Sequence, residues 1–380
     1  MRKIHYVSGS RADFGLVKET LSAINKSTLI DLELVVIGQH LLRKYGHTIN
    51  DIRELDLKIA LMIKTSLDGT DGLAMAKNFA KQMDRLTKHW SLNRPDLVVV
   101  LGDRGEMLAA TLAAIHLGIH VLHIHGGELS GTIDESFRHA ISKLSHFHLT
   151  STKDASNRLK KMGEMPETIF TVGAPGLASV NKNYELQNNY FSKNYGIAEN
   201  IYRVVCAFHP VFQEAHDSSY QMSQILKLLV QKKCSGILIS PNSDAGGEDI
   251  RRTISQFMKA DYFKKHFRFF THLSRPEYLD TVANSDLLIG NSSSGIIESA
   301  SLGVACINIG TRQKYRLRNT NVFDCPTYGQ KELCKTFKKA ANFSGPYINL
   351  YHRKNTIQNI VRILETLDLK KMYLEKSNRY

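Results

Sequence analysis

Short runs that are apolar at every position recur along the chain. They alternate with longer segments whose apolar residues return every three or four positions. The first series of apolar runs falls at 4–8, 32–38, 97–102, 121–125 and 147–151, with periodic segments at 15–24, 73–90 and 107–117 between them. A strand apolar on both faces needs cover on both, which predicts a parallel sheet flanked by amphipathic helices. The pattern restarts at 203–208, 236–240, 267–270, 286–290 and 303–309, after a polar, Asn-rich stretch at 181–200 where no strand is predicted. The chain therefore reads as α/β, two Rossmann-like doubly wound domains in tandem, residues 1–170 and 171–352, joined near 165–180. The last periodic segment, 357–367 within residues 353–380, is expected to pack back on the first domain.

Composition narrows the picture. A chain of 380 residues, 42% hydrophobic and 23% charged, is neither disordered nor fibrous and can bury two cores. No apolar run approaches the ~20 residues that span a bilayer, and the N-terminus leads directly into the first strand, so neither a membrane segment nor a secretory leader is expected. Five cysteines, an odd number without a CxxC pair, read as free thiols in the cytoplasm. The net charge of +14 suits a polyanionic partner. The basic residues are scattered, however, and no nucleic-acid-binding motif occurs. A basic, solvated surface accounts for most of the excess, and no nucleic-acid or membrane partner is expected.

Doubly wound sheets bind ligands at the carboxyl ends of their strands. Here those ends are loaded. Ser8-Gly9-Ser10-Arg11 follows the first strand, and small residues at a strand-to-helix turn admit an anion. Arg11 is a candidate phosphate or sugar ligand, or else a structural ion-pair partner. The third strand ends on Gly102-Asp103-Arg104, where Asp103 could serve the substrate or cap the next helix. Densest is His123-Ile124-His125-Gly126-Gly127-Glu128, with Asp134, Glu135, Arg138 and His139 close behind. So many ionisable groups around a glycine turn are costly to fold unless paired, solvated or functional. The His-x-His spacing permits a metal, but no second His/Cys pair supports one, so no metal or other cofactor is expected.

In the second half, His209 precedes Pro210 at a strand end, and Asn242 lies in a polar, Gly-rich turn after the next strand. Gly290-Asn291-Ser292-Ser293-Ser294-Gly295 then opens a helix, with Glu298 one turn in and Arg312 in a cationic segment beyond. Hydroxyls and N–H groups at a helix start suit a diphosphate, and a carboxylate beyond it suits a ribose diol.

These motifs, RADFG, LGDRGE, HIHGGELSGTIDESFRHAISKLSHFHLTS, FHP, PNSDAG, GNSSSGIIE and GTRQKYR, occur in this order over residues 1–320 and resemble the hydrolysing UDP-N-acetylglucosamine 2-epimerases of sialic and nonulosonic acid biosynthesis. The resemblance implies a glycosyltransferase-B-like fold with its active site in the interdomain cleft, a UDP-sugar as substrate, and a homo-oligomer, dimer or tetramer. It implies loss of UDP from C1 as the C2 proton is removed, then hydration of the glycal with inversion at C2. Position by position, it makes Asp103, His125, Glu128, Asp134 and His209 the catalytic candidates. Arg11, Arg104, Asn242, Ser292, Ser293, Ser294, Gly295, Glu298 and Arg312 become the substrate-binding ones. Many relatives read HIEGGE where this chain has His125, which leaves His125 and Glu128 both in contention for that carboxylate's role. The same reaction on UDP-N,N′-diacetylbacillosamine or GDP-N-acetylglucosamine is the nearest alternative. A glycosyltransferase and a non-enzymatic nucleotide-sugar sensor are more distant ones.

Overall fold

The computed structural model describes residues 1–41, 49–65, 72–131, 134–180, 184, 186–242 and 244–379, apart from the side chains at positions 11, 12, 39 and 372. The chain divides into two units. One comprises Met1–Leu129, Ile133–Ala178 and Tyr351–Tyr380; the other comprises Ser130–Thr132 and Ser179–Leu350.

The first unit is built on seven strands: β1 (Arg2–Ser8), β2 (Ile30–Ile37), β3 (Lys58–Ile63), β4 (Leu97–Leu101), β5 (His120–Ile124), β6 (Phe147–Thr150) and β7 (Ile169–Thr171). They form one parallel sheet in the order β3-β2-β1-β4-β5-β6-β7. The reversal between β1 and β4 is the topological switch point of a doubly wound sheet. Successive residues feed opposite faces. Leu97, Val99 and Leu101 of β4 join one core with Ile4, Tyr6 and Phe14, while Val98 and Val100 join another with Trp90, Met107 and Ala110. Ile360 and Leu364 of the helix Thr356–Thr366 lie in the first of these cores, and Arg2 Nη2 donates to the Leu367 carbonyl at 2.6 Å.

The second unit carries β8 (Tyr202–Ala207), β9 (Cys234–Ile239), β10 (Phe267–Phe270), β11 (Leu287–Gly290), β12 (Ala305–Ile309) and β13 (Val322–Cys325), parallel in the order β10-β9-β8-β11-β12-β13. It too has a core on each face. Next to the Ser-rich turn, Gly290 (φ +140°) comes so close to β8 that a Cβ would lie 2.0 Å from the Ala207 carbonyl oxygen, so only glycine fits.

Three strands are absent from the sequence pattern: β3, β7 and β13. All are sheet edges with mostly partly exposed residues; β7 and β13 span only three and four residues, while β3 carries an apolar run at 59–63 that the sequence pattern did not assign. Within the polar stretch at 181–200 the described residues hold a six-residue helix, Tyr190–Tyr195, and no strand. No helix among the described residues is long and apolar enough to cross a membrane.

Candidate active site

The chemistry gathers at the carboxyl ends of the strands. After β1, the Asp13 carboxylate accepts from the Gly9 N–H (3.1 Å), the Ser10 N–H (2.7 Å) and the Ser10 and Ser8 hydroxyls. Ser10 also caps the helix Arg11–Asn25, so Asp13 completes a capping box and fixes the turn. Burial pushes the Asp13 carboxyl up and the nearby His40 imidazole down. Arg11 opens this helix; its side chain lies outside the described residues.

Asp103 follows β4 and does not cap the next helix. Arg104 holds that N-cap position without a side-chain bond and turns its Nε to Glu106 Oε2 at 3.3 Å. Asp103 Oδ2 instead accepts from Arg138 Nη2, and Arg138 Nη1 donates to the His125 carbonyl at 3.2 Å. Arg138, buried on the helix Asp134–Leu144, thus ties the ends of β4 and β5 together. Asp134 opens the same helix. At its far end Lys376 Nζ donates to the carbonyls of Ser142 (3.1 Å), Lys143 (2.6 Å) and Ser145 (2.5 Å) and pairs with buried Glu164, a cation where the helix dipole favours one.

Beyond β5, His123 Nε2 reaches the Gly102 carbonyl at 2.7 Å and Nδ1 the Ser142 hydroxyl at 3.0 Å; burial pushes its imidazole well below its usual range. His125 turns back with φ +65°. Its Nδ1 lies 2.6 Å from Glu128 Oε1 and 2.7 Å from Ser151 Oγ, and the Ser151 hydroxyl donates to Glu128 Oε1 at 2.7 Å. Both His125 and Glu128 are buried, and His125 Nε2 has no hydrogen-bond partner among the described residues. The turn needs Gly127 (φ +73°): a Cβ there would sit 2.5 Å from the Ala155 carbonyl oxygen.

In the second unit His209 is gripped through its backbone. The Asn291 side chain accepts from the His209 N–H at 2.7 Å and donates to its carbonyl at 2.8 Å. The Asn242 N–H donates to His209 Nδ1 at 3.1 Å, so the neutral ring carries its proton on Nε2. Burial, reinforced by the Arg312 cation, pushes the imidazole down to about 3. Arg312 and Gln313 each donate to the Asn291 carbonyl at 3.2 Å.

The Ser-rich turn departs from expectation. Ser292 caps the helix Ser293–Ile297, accepting from the Ser294 N–H, but that helix has only five residues. Its dipole is correspondingly small, and the turn offers hydroxyls and N–H groups more than a helix-end field. Glu298 is 2% exposed. Its Oε1 accepts from Arg275 Nη2 at 2.7 Å and its Oε2 from the Ser294 hydroxyl at 2.6 Å, while Tyr278 donates to Ser294 Oγ at 2.8 Å. The expected open carboxylate is therefore already held by protein donors, and a diol would have to share it. Gly295 lies where a Cβ would meet Cys306 Sγ at 2.5 Å.

The structure thus gathers Asp103, His125 and Glu128 in one unit, and His209, Asn242 and Arg312 in the other. It adds Arg138, Ser151, Asn291, Arg275 and Tyr278, which the sequence reading did not single out as site residues. Arg138 sits four residues after Asp134, a helical-face spacing that could have flagged it; Ser151 and Asn291 each follow a strand end. Among the described residues no group of three or more His, Cys, Asp or Glu is placed to hold a metal ion.

Two parallel doubly wound units with polar strand ends define a glycosyltransferase-B-like α/β protein. A family model described as UDP-N-acetylglucosamine 2-epimerase matches residues 22–365. A Legionella pneumophila UDP-N,N′-diacetylbacillosamine 2-epimerase (hydrolyzing) is 40% identical over 100% of both chains. A Neisseria meningitidis UDP-N-acetylglucosamine 2-epimerase is 34% identical over 83% of this chain and 81% of that one. The structure of the Methanocaldococcus jannaschii UDP-GlcNAc 2-epimerase, in complex with UDP-GlcNAc and UDP, superposes with a TM-score of 0.78 over 95% of this chain and 99% of that one, at 19% identity. The chain belongs to the UDP-N-acetylglucosamine 2-epimerase family of enzymes.

Proposed function

We propose that this enzyme is a hydrolysing 2-epimerase of a UDP-linked 2-acetamido sugar, releasing UDP and the free 2-epimer. The observation that carries the reading is the Arg138 bridge, which draws the Asp103 carboxylate and the His125–Glu128 pair together at the carboxyl ends of the neighbouring strands β4 and β5. Removing a C2 proton that lies beside no carbonyl needs a positioned base and a well-stabilised leaving group. In the proposed reaction a base takes the C2 proton, the C–H pair becomes the C1=C2 bond, and the C1–O pair leaves with UDP. Water then adds to the glycal: its oxygen bonds to C1 and gives up one proton to a base, while the C1=C2 pair takes a proton from an acid on the opposite face of C2. Asp103, Asp134 and His125 are the proposed proton-handling groups. His209, Asn242, Ser292, Ser293, Ser294, Glu298 and Arg312 are the proposed contacts to the nucleotide, with Arg11 and Arg104 contributing cations.

The 40% identity over the full length of the Legionella protein favours UDP-N,N′-diacetylbacillosamine as substrate. The 34% identity to the Neisseria enzyme supports UDP-N-acetylglucosamine as a second reading. The five free thiols, four of them buried, support a reducing compartment, the cytoplasm. Incubation with each UDP-sugar, and with GDP-N-acetylglucosamine, tests the reading by the sugar released. The manno-configured 2-epimer should appear, fastest from the diacetylated substrate. Unepimerised sugar, or sugar found only on an added acceptor, would overturn it.

A further inference from the structure

Within the reaction proposed above, we infer that Glu128 and Ser151 are positioning residues that fix the tautomer of His125 and make its Nε2 the atom that takes the substrate's C2 proton. The inference rests on the epimerase reading for the identity of the proton, and on geometry alone for the tautomer.

Three atoms form a closed triangle: His125 Nδ1, Glu128 Oε1 and Ser151 Oγ, with sides of 2.6, 2.7 and 2.7 Å. An ionised carboxylate only accepts, and the one hydroxyl proton of Ser151 is directed to Oε1. A 2.6 Å contact between Nδ1 and Oε1 therefore needs its proton on Nδ1. That leaves the lone pair of the neutral ring on Nε2, which is buried and has no hydrogen-bond partner among the described residues. What distinguishes it from other partnerless ring nitrogens, such as those of His89 and His148, is its place after the carboxyl end of β5, where doubly wound sheets take their ligands. The Nδ1 contacts hold the ring, and the backbone beneath it is pinned. His125 sits at φ +65°, a left-handed conformation costly for a side chain with a Cβ. Its N–H donates to the Leu149 carbonyl at 2.9 Å, and its carbonyl accepts from Arg138.

The arrangement is a carboxylate–imidazole pair in which the carboxylate does not touch the reacting atom. In the step proposed, the C2 proton moves to Nε2, the ring becomes imidazolium, and Glu128 and Ser151 stabilise the new charge through Nδ1–H. The C–H electron pair forms C1=C2 as UDP departs with the C1–O pair. The same placement resolves which of the two groups stands in for the carboxylate of HIEGGE relatives: the imidazole, with Glu128 behind it.

Long-range ¹H–¹⁵N spectra of ¹⁵N-histidine protein, with His125 assigned by its loss in His125→Gln, read the tautomer without substrate. The wild type should show Nδ1–H, and Glu128→Gln should shift the population toward Nε2–H. In turnover, Glu128→Gln should lower kcat by roughly 10²- to 10⁴-fold, with KM and UDP affinity within a few-fold, and should enlarge the isotope effect from substrate deuterated at C2. Ser151→Ala should move the same quantities less. A merely structural Glu128 would change stability and leave the isotope effect alone. An Nε2–H signal for His125 in the wild type, or a Glu128→Gln kcat within twofold of wild type, overturns the inference. If the wild type epimerises nothing, the reaction reading fails while the tautomer result stands on its own.

Discussion

Arg138 donates one guanidinium nitrogen to the Asp103 carboxylate and the other to the His125 carbonyl, so a single buried cation sets the spacing of two strand ends. Lysine keeps the charge but cannot make both bonds in that planar geometry. Arg138→Lys should therefore lower kcat about tenfold or more, the equivalent of one lost charged hydrogen bond, with UDP affinity little changed. Steady-state kinetics beside calorimetric UDP titration checks this. An unchanged kcat would mean that the bridge only holds the fold.

In the second unit, buried Glu298 faces half-buried Arg275 in an ion pair. Removing one partner leaves the other charge uncompensated. Glu298→Ala should weaken UDP binding by ~1.5–3 kcal/mol, through loss of charged hydrogen bonds, and also lower the melting temperature. Arg275→Met should show the same pattern. Calorimetry separates the two effects: full UDP affinity in a destabilised Glu298→Ala would confine Glu298 to packing.

Stability should fall on the acid side. Burial pushes His5 to about 4, and His146 and His209 to about 3, from 6.5. The unfolded chain binds these protons near pH 6.5 and the folded chain only near 3–4, so their contribution is complete above 6.5 and lost as pH falls. Glu164 acts in the same direction: burial alone would raise its carboxyl, but bonds from His148 and Lys376 outweigh that and hold it at about 2, from 4.5. Lys376 acts in the same direction, at higher pH. Burial lowers it from 10.5 to about 8, so the unfolded chain holds the extra proton between those values and stability gains as pH rises through them. Melting temperatures from pH 4 to 9 should drop steeply below 6.5 and rise slightly above 8. His146→Gln should flatten the acid limb.

The tail also bears on the site-bearing helix. Lys376→Met removes donors from three carbonyls at the end of the helix Asp134–Leu144 and leaves Glu164 paired only with Lys143 and His148. Loss of a buried charge partner should cost ~3–5 kcal/mol, read as a lower midpoint in denaturant. A midpoint unchanged within error would contradict the packing of the tail described above.

The central strands were legible because each is apolar on both faces: β4 and β5 were expected at 97–102 and 121–125 and are found at Leu97–Leu101 and His120–Ile124. The edge strands β7 and β13 are too short, at three and four residues, to give that signal, and the apolar run of β3 at 59–63 stands apart from the strand-and-helix alternation. Asp103 and His125 could be read from their place after a strand. Their partners could not. Arg138 meets Asp103 across 35 residues and Ser151 meets His125 across 26, distances that only strand order in the sheet resolves. The Ser-rich turn was visible as a motif, but the brevity of its helix and the burial of Glu298 depend on packing against Arg275 and Tyr278.

The fate of the C2 proton separates an epimerase from a simple hydrolase. Hydrolysis and epimerising hydrolysis both release UDP, so UDP alone does not separate them. Turnover in D₂O, followed by NMR of the free sugar, does. Elimination and hydration through a glycal must place one solvent deuterium at C2 and give the manno configuration. Asp103→Asn and Asp134→Asn should suppress that product or let the glycal escape. Released sugar with hydrogen retained at C2 and gluco configuration would contradict the mechanism, whatever the nucleotide affinity.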